Sequence, residues 1–145
     1  MANGKIFNSQ SVTDTEQVGE QLAQLIRFPS CVYLNADMGA GKTTLTKAII
    51  NGLGYSGSVT SPTYNLIQEY PVDGGMVYHM DLYRLQDPEE LEFLALEDLW
   101  SERSIFLIEW PQNGAGFLRP ASHVISIEKQ AELDTRLINF DSTCS

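Results

Sequence analysis

Cations are scarce in this 145-residue chain: 9 Lys and Arg stand against 19 Asp and Glu, a formal charge of −10 at pH 7. A surface that grips duplex nucleic acid or an anionic bilayer needs a field of positive charge that releases phosphate counterions. The shortage excludes both as bulk partners, so any phosphate bound here must be bound locally. Long apolar runs are missing too. The longest aliphatic or aromatic stretch is Ile105 to Ile108, against the roughly 20 apolar residues of a membrane-spanning helix. Met1-Ala2-Asn3-Gly4-Lys5 leads into Asn8-Ser9-Gln10-Ser11 rather than into an apolar segment. No secretory leader is therefore expected, and a cytoplasmic protein is the default. The two cysteines, Cys31 and Cys144, lie in no metal-ligand or redox spacing, and free thiols are expected. There is no repeat, no low-complexity tract and no linker long enough to divide the chain into domains.

What is present suits one α/β domain, with 43% hydrophobic residues to build a core. Thr13-Asp14-Thr15-Glu16 has the form of a capping box, and Val18, Leu22, Leu25 and Ile26 recur at helical spacing, which predicts a helix over about 13–27. Cys31 to Leu34 reads as a short buried strand. A glycine-rich stretch, 36–41, then opens a helix from Thr43 to Ile50 that Gly52 and Gly54 would end. Tyr64 to Tyr70 and Met76 to Leu82 predict a hairpin. Asp87-Pro88-Glu89-Glu90 predicts the start of a helix over 88–100. Ser104 to Trp110, His123 to Glu128 and Arg136 to Phe140 complete a mixed, largely parallel sheet. Residues 1–11 and 142–145 are expected to be loosely ordered.

Gly39-Ala40-Gly41-Lys42-Thr43 lies between a predicted strand and a predicted helix, the context a phosphate-binding loop requires. Glycines let successive backbone N–H groups converge on phosphate oxygens, and the helix N-terminus adds its positive end. Lys42 would neutralise the β- and γ-phosphates, and Thr43 would offer its hydroxyl to Mg²⁺. The full motif G-x-x-x-x-G-K-[ST] would place glycine at 36, where this chain has Ala36. Such a loop needs a carboxylate for the metal and a group that positions the attacking water. Two strands end in acids, Ser104 to Glu109 and Met76 to Asp81. Glu109 fits the metal better, because its strand is wholly apolar and would lie centrally beside Cys31 to Leu34, leaving Asp81 for water or metal work. No Asn-Lys-x-Asp segment for guanine is present, so adenine is the expected base.

Taken together, Gly39-Ala40-Gly41-Lys42-Thr43-Thr44, Thr60-Ser61-Pro62-Thr63-Tyr64, His79-Met80-Asp81-Leu82-Tyr83-Arg84 and Ile108-Glu109-Trp110-Pro111 resemble, in order and spacing, the TsaE family. Its members are bacterial P-loop ATPases required to make the threonylcarbamoyladenosine modification of tRNA. The resemblance runs from about residue 12 to 138 and implies a single P-loop NTPase domain. It implies that Thr43 and Glu109 hold Mg²⁺ and that Lys42 and the amides of Met38, Gly39, Ala40, Gly41, Thr43 and Thr44 hold the phosphates of ATP. It further implies that Asp81 assists catalysis and that Ser61-Pro62-Thr63 forms a switch loop near the γ-phosphate. By the same resemblance Thr15 and Arg136 are candidates to approach the nucleotide. Arg84 either stabilises transition-state charge or pairs with the acidic segment that follows. Trp110 covers the nucleotide or a partner, or is an ordinary core or surface aromatic. His79 reads as a packing or hydrogen-bonding residue rather than a catalytic one.

The expected partners, again by resemblance, are TsaD and TsaB, with tRNA reached indirectly through their complex and ATP hydrolysis slow in isolation. Two other readings use the same loop: a small-molecule kinase with Asp81 as base toward a substrate hydroxyl, and a nucleotide-gated binding module. In the latter the acidic segment Glu89, Glu90, Glu92, Glu97 and Asp98 would dock a partner. Of the nine cations, Lys42, Lys47 and Arg84 fall in or beside the proposed site.

Overall fold

The computed structural model describes residues 2–36, 40–59, 66–130 and 135–143. Seven strands form one mixed sheet in the order β1-β7-β6-β2-β5-β4-β3. The strands are β1 (Ala2–Ser9), β2 (Ser30–Ala36), β3 (Ile67–Val72), β4 (Gly75–Asp81), β5 (Ser104–Glu109), β6 (His123–Lys129) and β7 (Arg136–Thr143). The central strands pair in parallel, β6 with β2, β2 with β5 and β5 with β4. The flanking pairs, β1 with β7, β7 with β6 and β4 with β3, are antiparallel. Parallel strands need covered faces on both sides, and β5 is buried at every position from Ser104 to Glu109.

Helices α1 (Val12–Leu25) and α2 (Lys42–Gly52) cover one face. Val18, Leu22, Leu45, Ile49 and Ile50 pack there on Val32, Leu34, Val77, Ile105, Leu107 and Ile125. The two helices lie close together because small residues meet between them. A Cβ at Gly19 would fall 2.4 Å from that of Ala48, too near for any side chain larger than hydrogen. The other face is covered by a 3₁₀ helix, Pro88–Leu94, and the short α3, Leu96–Leu99, whose Leu91 and Leu96 pack on Met80, Leu82, Phe106 and Ile108. Side chains alternate between the faces along each strand, so His79 and Asp81 of β4 and Leu107 and Glu109 of β5 share the α1/α2 face.

Four expectations require correction. The first helix is capped by Ser11, whose hydroxyl accepts from the Asp14 amide, and it starts at Val12 instead of Thr13. The Asp14 carboxylate reaches back to the Gln10 amide, so the capping logic operates two residues earlier. Residues 2–9, expected to be loosely ordered, form β1. Its composition carries no alternation, and Ile6 is 69% exposed, so its order comes from pairing with β7. The helix expected over 88–100 is broken at Ala95, which has φ 49°. Leu91 and Leu96 are both buried, yet residues five apart do not share a face of a straight helix. The chain therefore tightens and turns between them. Finally, the hairpin strand starts at Ile67 among the described residues, Tyr64 and Asn65 lying outside them.

Candidate active site

The parallel strands β2, β5, β4 and β6 end on the same side, and ligands of open α/β sheets bind outside such carboxyl ends. Beyond β2 the described chain resumes with Ala40 and Gly41, and α2 begins at Lys42. Gly41 is the N-cap of α2 with φ 92°, a left-handed conformation that favours glycine, and no side chain caps the helix. Its first turn also contains no acidic residue. The amides at the start of α2 and their positive dipole end are thus left for an anion. Thr43 is exposed and Thr44 partly so in that first turn, while Ala40 is buried. Met38, Gly39 and the segment expected to form a switch loop, with Thr63, lie outside the described residues.

Lys42 Nζ lies 3.0 Å from Glu109 Oε1, with the carboxylate side chain only 4% exposed. This one ion pair joins the glycine loop to the end of β5. The other carboxylate oxygen, Oε2, bonds His79 Nε2 on β4, a residue that is itself 1% exposed. Burial alone would raise the Glu109 pKa, but the hydrogen bond and charge of His79, followed by those of Lys42, outweigh it and hold the carboxyl below its ordinary value. Asp81 stands directly across from Glu109 in the β4–β5 register, is only partly buried, and accepts at Oδ1 from the Tyr83 amide. The strand ends are tied together: the Leu82 amide donates to the Glu109 carbonyl, and Asn113 Nδ2 donates to the Leu82 carbonyl.

Trp110 adopts φ 57°, a conformation that costs a non-glycine residue about 1 kcal/mol. Its ring is thereby set against Lys42, whose ammonium is 5.6 Å from the ring centroid, and beside Tyr83. A cleft of about 290 Å³ adjoins this lysine, lined by Asn35, Trp110, Gln112, Ser126 and Glu128 among others.

The structure therefore brings together Lys42, Glu109, Asp81, Gly41, Thr43 and Thr44. Arg136 joins them: a Cβ on Gly41 would sit 3.5 Å from Arg136 Nε. Thr15 is buried in α1 and shares a 2.6 Å hydrogen bond with Ser9, the register partner of Arg136. Its hydroxyl is thus bonded to the strand residue that faces Arg136 in the β1–β7 register. Arg84 and Lys47 are exposed. His79, read from the sequence as a packing or hydrogen-bonding residue, is the latter: it is a direct partner of the site carboxylate. The signal that could have found it is its place two residues before Asp81, which puts it on the same strand face as the carboxylate it holds.

Residues 9–138 match the family model described as "Threonylcarbamoyl adenosine biosynthesis protein TsaE". The chain is 54% identical over 97 residues to the tRNA threonylcarbamoyladenosine biosynthesis protein TsaE of Haemophilus influenzae, covering 67% of this chain and 61% of that protein. It is 36% identical over 128 residues to the TsaE protein of Bacillus subtilis, covering 88% and 78% of the two chains. The crystal structure of YdiB from Bacillus subtilis superposes with a TM-score of 0.79 at 26% identity, covering 99% of this chain and 88% of that one. With nearly the whole chain, residues 9–138, matched by the family model, this chain belongs to the TsaE family of tRNA threonylcarbamoyladenosine biosynthesis proteins.

Proposed function

We propose that this protein is a Mg²⁺-dependent ATP hydrolase that supports TsaB and TsaD in forming threonylcarbamoyladenosine on tRNA. The observation that carries the reading is the contact of Lys42 with Glu109, which sets a loop lysine against a strand-end carboxylate with Asp81 alongside. Lys42 and the amides from Ala40 to Thr44 would bind the phosphates, with Arg136 beside Gly41 adding positive charge. The Thr43 hydroxyl and Glu109 are hard oxygen donors of the kind Mg²⁺ prefers, and would hold the ion together with phosphate oxygens. When bound, Mg²⁺ neutralises charge on the β- and γ-phosphates. Among the described residues no group of three or more His, Cys, Asp or Glu could hold a metal alone, which suits an ion that arrives with its nucleotide. Asp81, less buried than Glu109 and free of a cationic partner among the described residues, would orient the attacking water. The side chain of Trp110 would cover the site from the β5 end.

The test is ATP hydrolysis measured with and without purified TsaB–TsaD. Stimulation by the partners is expected, as is its loss in Lys42→Ala and Asp81→Ala; hydrolysis that the partners leave unchanged would overturn the reading. The cleft beside Lys42 favours one second reading, a small-molecule kinase whose acceptor would sit against Asn35, Ser126 and Glu128. Partner-independent transfer of phosphate from ATP to a metabolite would establish it instead.

A further inference from the structure

We propose that His79 is the positioning residue of this site, holding Glu109 in place while Lys42 changes partners. The proposal rests on the reading of Lys42 and Glu109 as phosphate and Mg²⁺ groups. Among the described residues each oxygen of the Glu109 carboxylate has one partner, Lys42 at Oε1 and His79 at Oε2. A phosphate that recruits the Lys42 ammonium draws it from Oε1, the oxygen that then becomes open to the ion. A buried carboxylate that loses its cation must keep another partner, since an uncompensated buried charge is strongly destabilising. Among the described residues, the remaining partner is His79.

Glutamate has three rotatable bonds, and a hydrogen bond at Oε2 restricts the rotation that would otherwise carry Oε1 away from the phosphates. The ring is suited to this role and committed to no other. His79 Nδ1 is buried and finds no hydrogen-bond partner among the described residues. The polar contact of the ring is therefore the one to Glu109, with Nε2–H donating. Register supplies the reach: His79 sits opposite Leu107 and Asp81 opposite Glu109, so one imidazole extends diagonally along a shared face to a carboxylate two residues further on. A histidine that merely filled core volume would need neither this direction nor this partner.

Removing a group that hydrogen-bonds and orients a metal ligand typically costs about 10- to 100-fold in metal affinity. The experiment compares wild type, His79→Phe and His79→Gln, whose amide nitrogen replaces the donor. Binding of a fluorescent ADP analogue is titrated in EDTA, and the nucleotide complex is then titrated with Mg²⁺. The phenylalanine variant should bind nucleotide in EDTA within about 3-fold of wild type, yet need about 10- to 100-fold more Mg²⁺ for half-saturation; the glutamine variant should recover most of that loss. Equal Mg²⁺ requirement in wild type and His79→Phe, or no rescue by glutamine, overturns the role. Where thermal melts show that the phenylalanine variant does not fold, the imidazole nitrogen resonances of wild type decide. A proton on Nε2, kept when nucleotide and Mg²⁺ are added, supports the proposal, and a ring protonated on Nδ1 alone overturns it. Wild type that binds no nucleotide in either buffer overturns the site reading itself, a failure distinct from an unchanged Mg²⁺ requirement.

Discussion

Two acidic regions of this molecule lie on opposite faces of one sheet and behave differently. On the α1/α2 face, Glu109 is 3% exposed and both of its oxygens are engaged by His79 and Lys42. On the other, Glu89, Glu90, Glu92, Glu97 and Asp98 are all exposed. Of these, only Glu97 makes an ion pair among the described residues, a 3.2 Å contact with Arg119, which also stacks over Trp100. Exposed pairs of this kind contribute about 0–1 kcal/mol, because water and salt screen them. A single buried carboxylate at a strand end thus carries more chemistry than five solvated ones. The net charge of −10 is mostly surface and says little about the site.

The largest effect should come from the lysine that spans loop and strand. Lys42→Ala should weaken ATP binding by about 2–5 kcal/mol, the range for truncating a buried charge partner, as read by calorimetric titration. An unchanged affinity would collapse the distinction between the two faces. Next comes pH. The folded Glu109 carboxyl is held below its ordinary value, so its unfolded form binds the proton more readily. Its contribution to stability is therefore present above the unfolded carboxyl pKa and is lost as pH falls through the depressed folded one. Urea unfolding at a series of acid pH values should show this loss in wild type and a flatter profile in Glu109→Gln. Matching profiles would mean that the buried contacts confer no such linkage.

Smaller effects sharpen the contrast. Thr15→Val removes the buried bond to Ser9 and should cost about 1–2 kcal/mol in thermal unfolding. It should affect nucleotide affinity only through the Ser9–Arg136 pairing. Changing Glu89, Glu90 and Glu92 together to lysine should alter stability by no more than about 0.5 kcal/mol per site and leave nucleotide binding unchanged; a large loss of either would show that the solvated face is coupled to the site. Burial pushes the Cys31 thiol up to about 12, so in a Cys144→Ser background it should react with a thiol reagent only after unfolding. Rapid labelling of the native protein would contradict its place in the core.

The readily legible parts of this protein are those whose physics is local. A glycine loop between a strand and a helix can be read from residue types, because conformational freedom, a lysine and a hydroxyl are needed in succession. β5 announces itself as an apolar run ending in an acid. The strands of the hairpin and of the β6–β7 pair follow from their composition. What could not be read locally depended on partners distant in sequence. β1 is a strand because β7 lies beside it, and the segment after Pro88 abandons a straight helix because Leu91 and Leu96 must both reach one core.

The site divides in the same way. Sequence alone determined its vocabulary: Lys42 and Thr43 at a helix start, with Asp81 and Glu109 at strand ends. The central place of the Glu109 strand beside Cys31 to Leu34 also followed from its wholly apolar residues. Only the tertiary structure decided that Lys42 touches Glu109, that Arg136 from the last strand lies against Gly41, and that His79 holds the second carboxylate oxygen. Each of these depends on strand order and register, which set apart or bring together residues dozens of positions away, and such long-range pairing leaves no periodic trace in the chain itself.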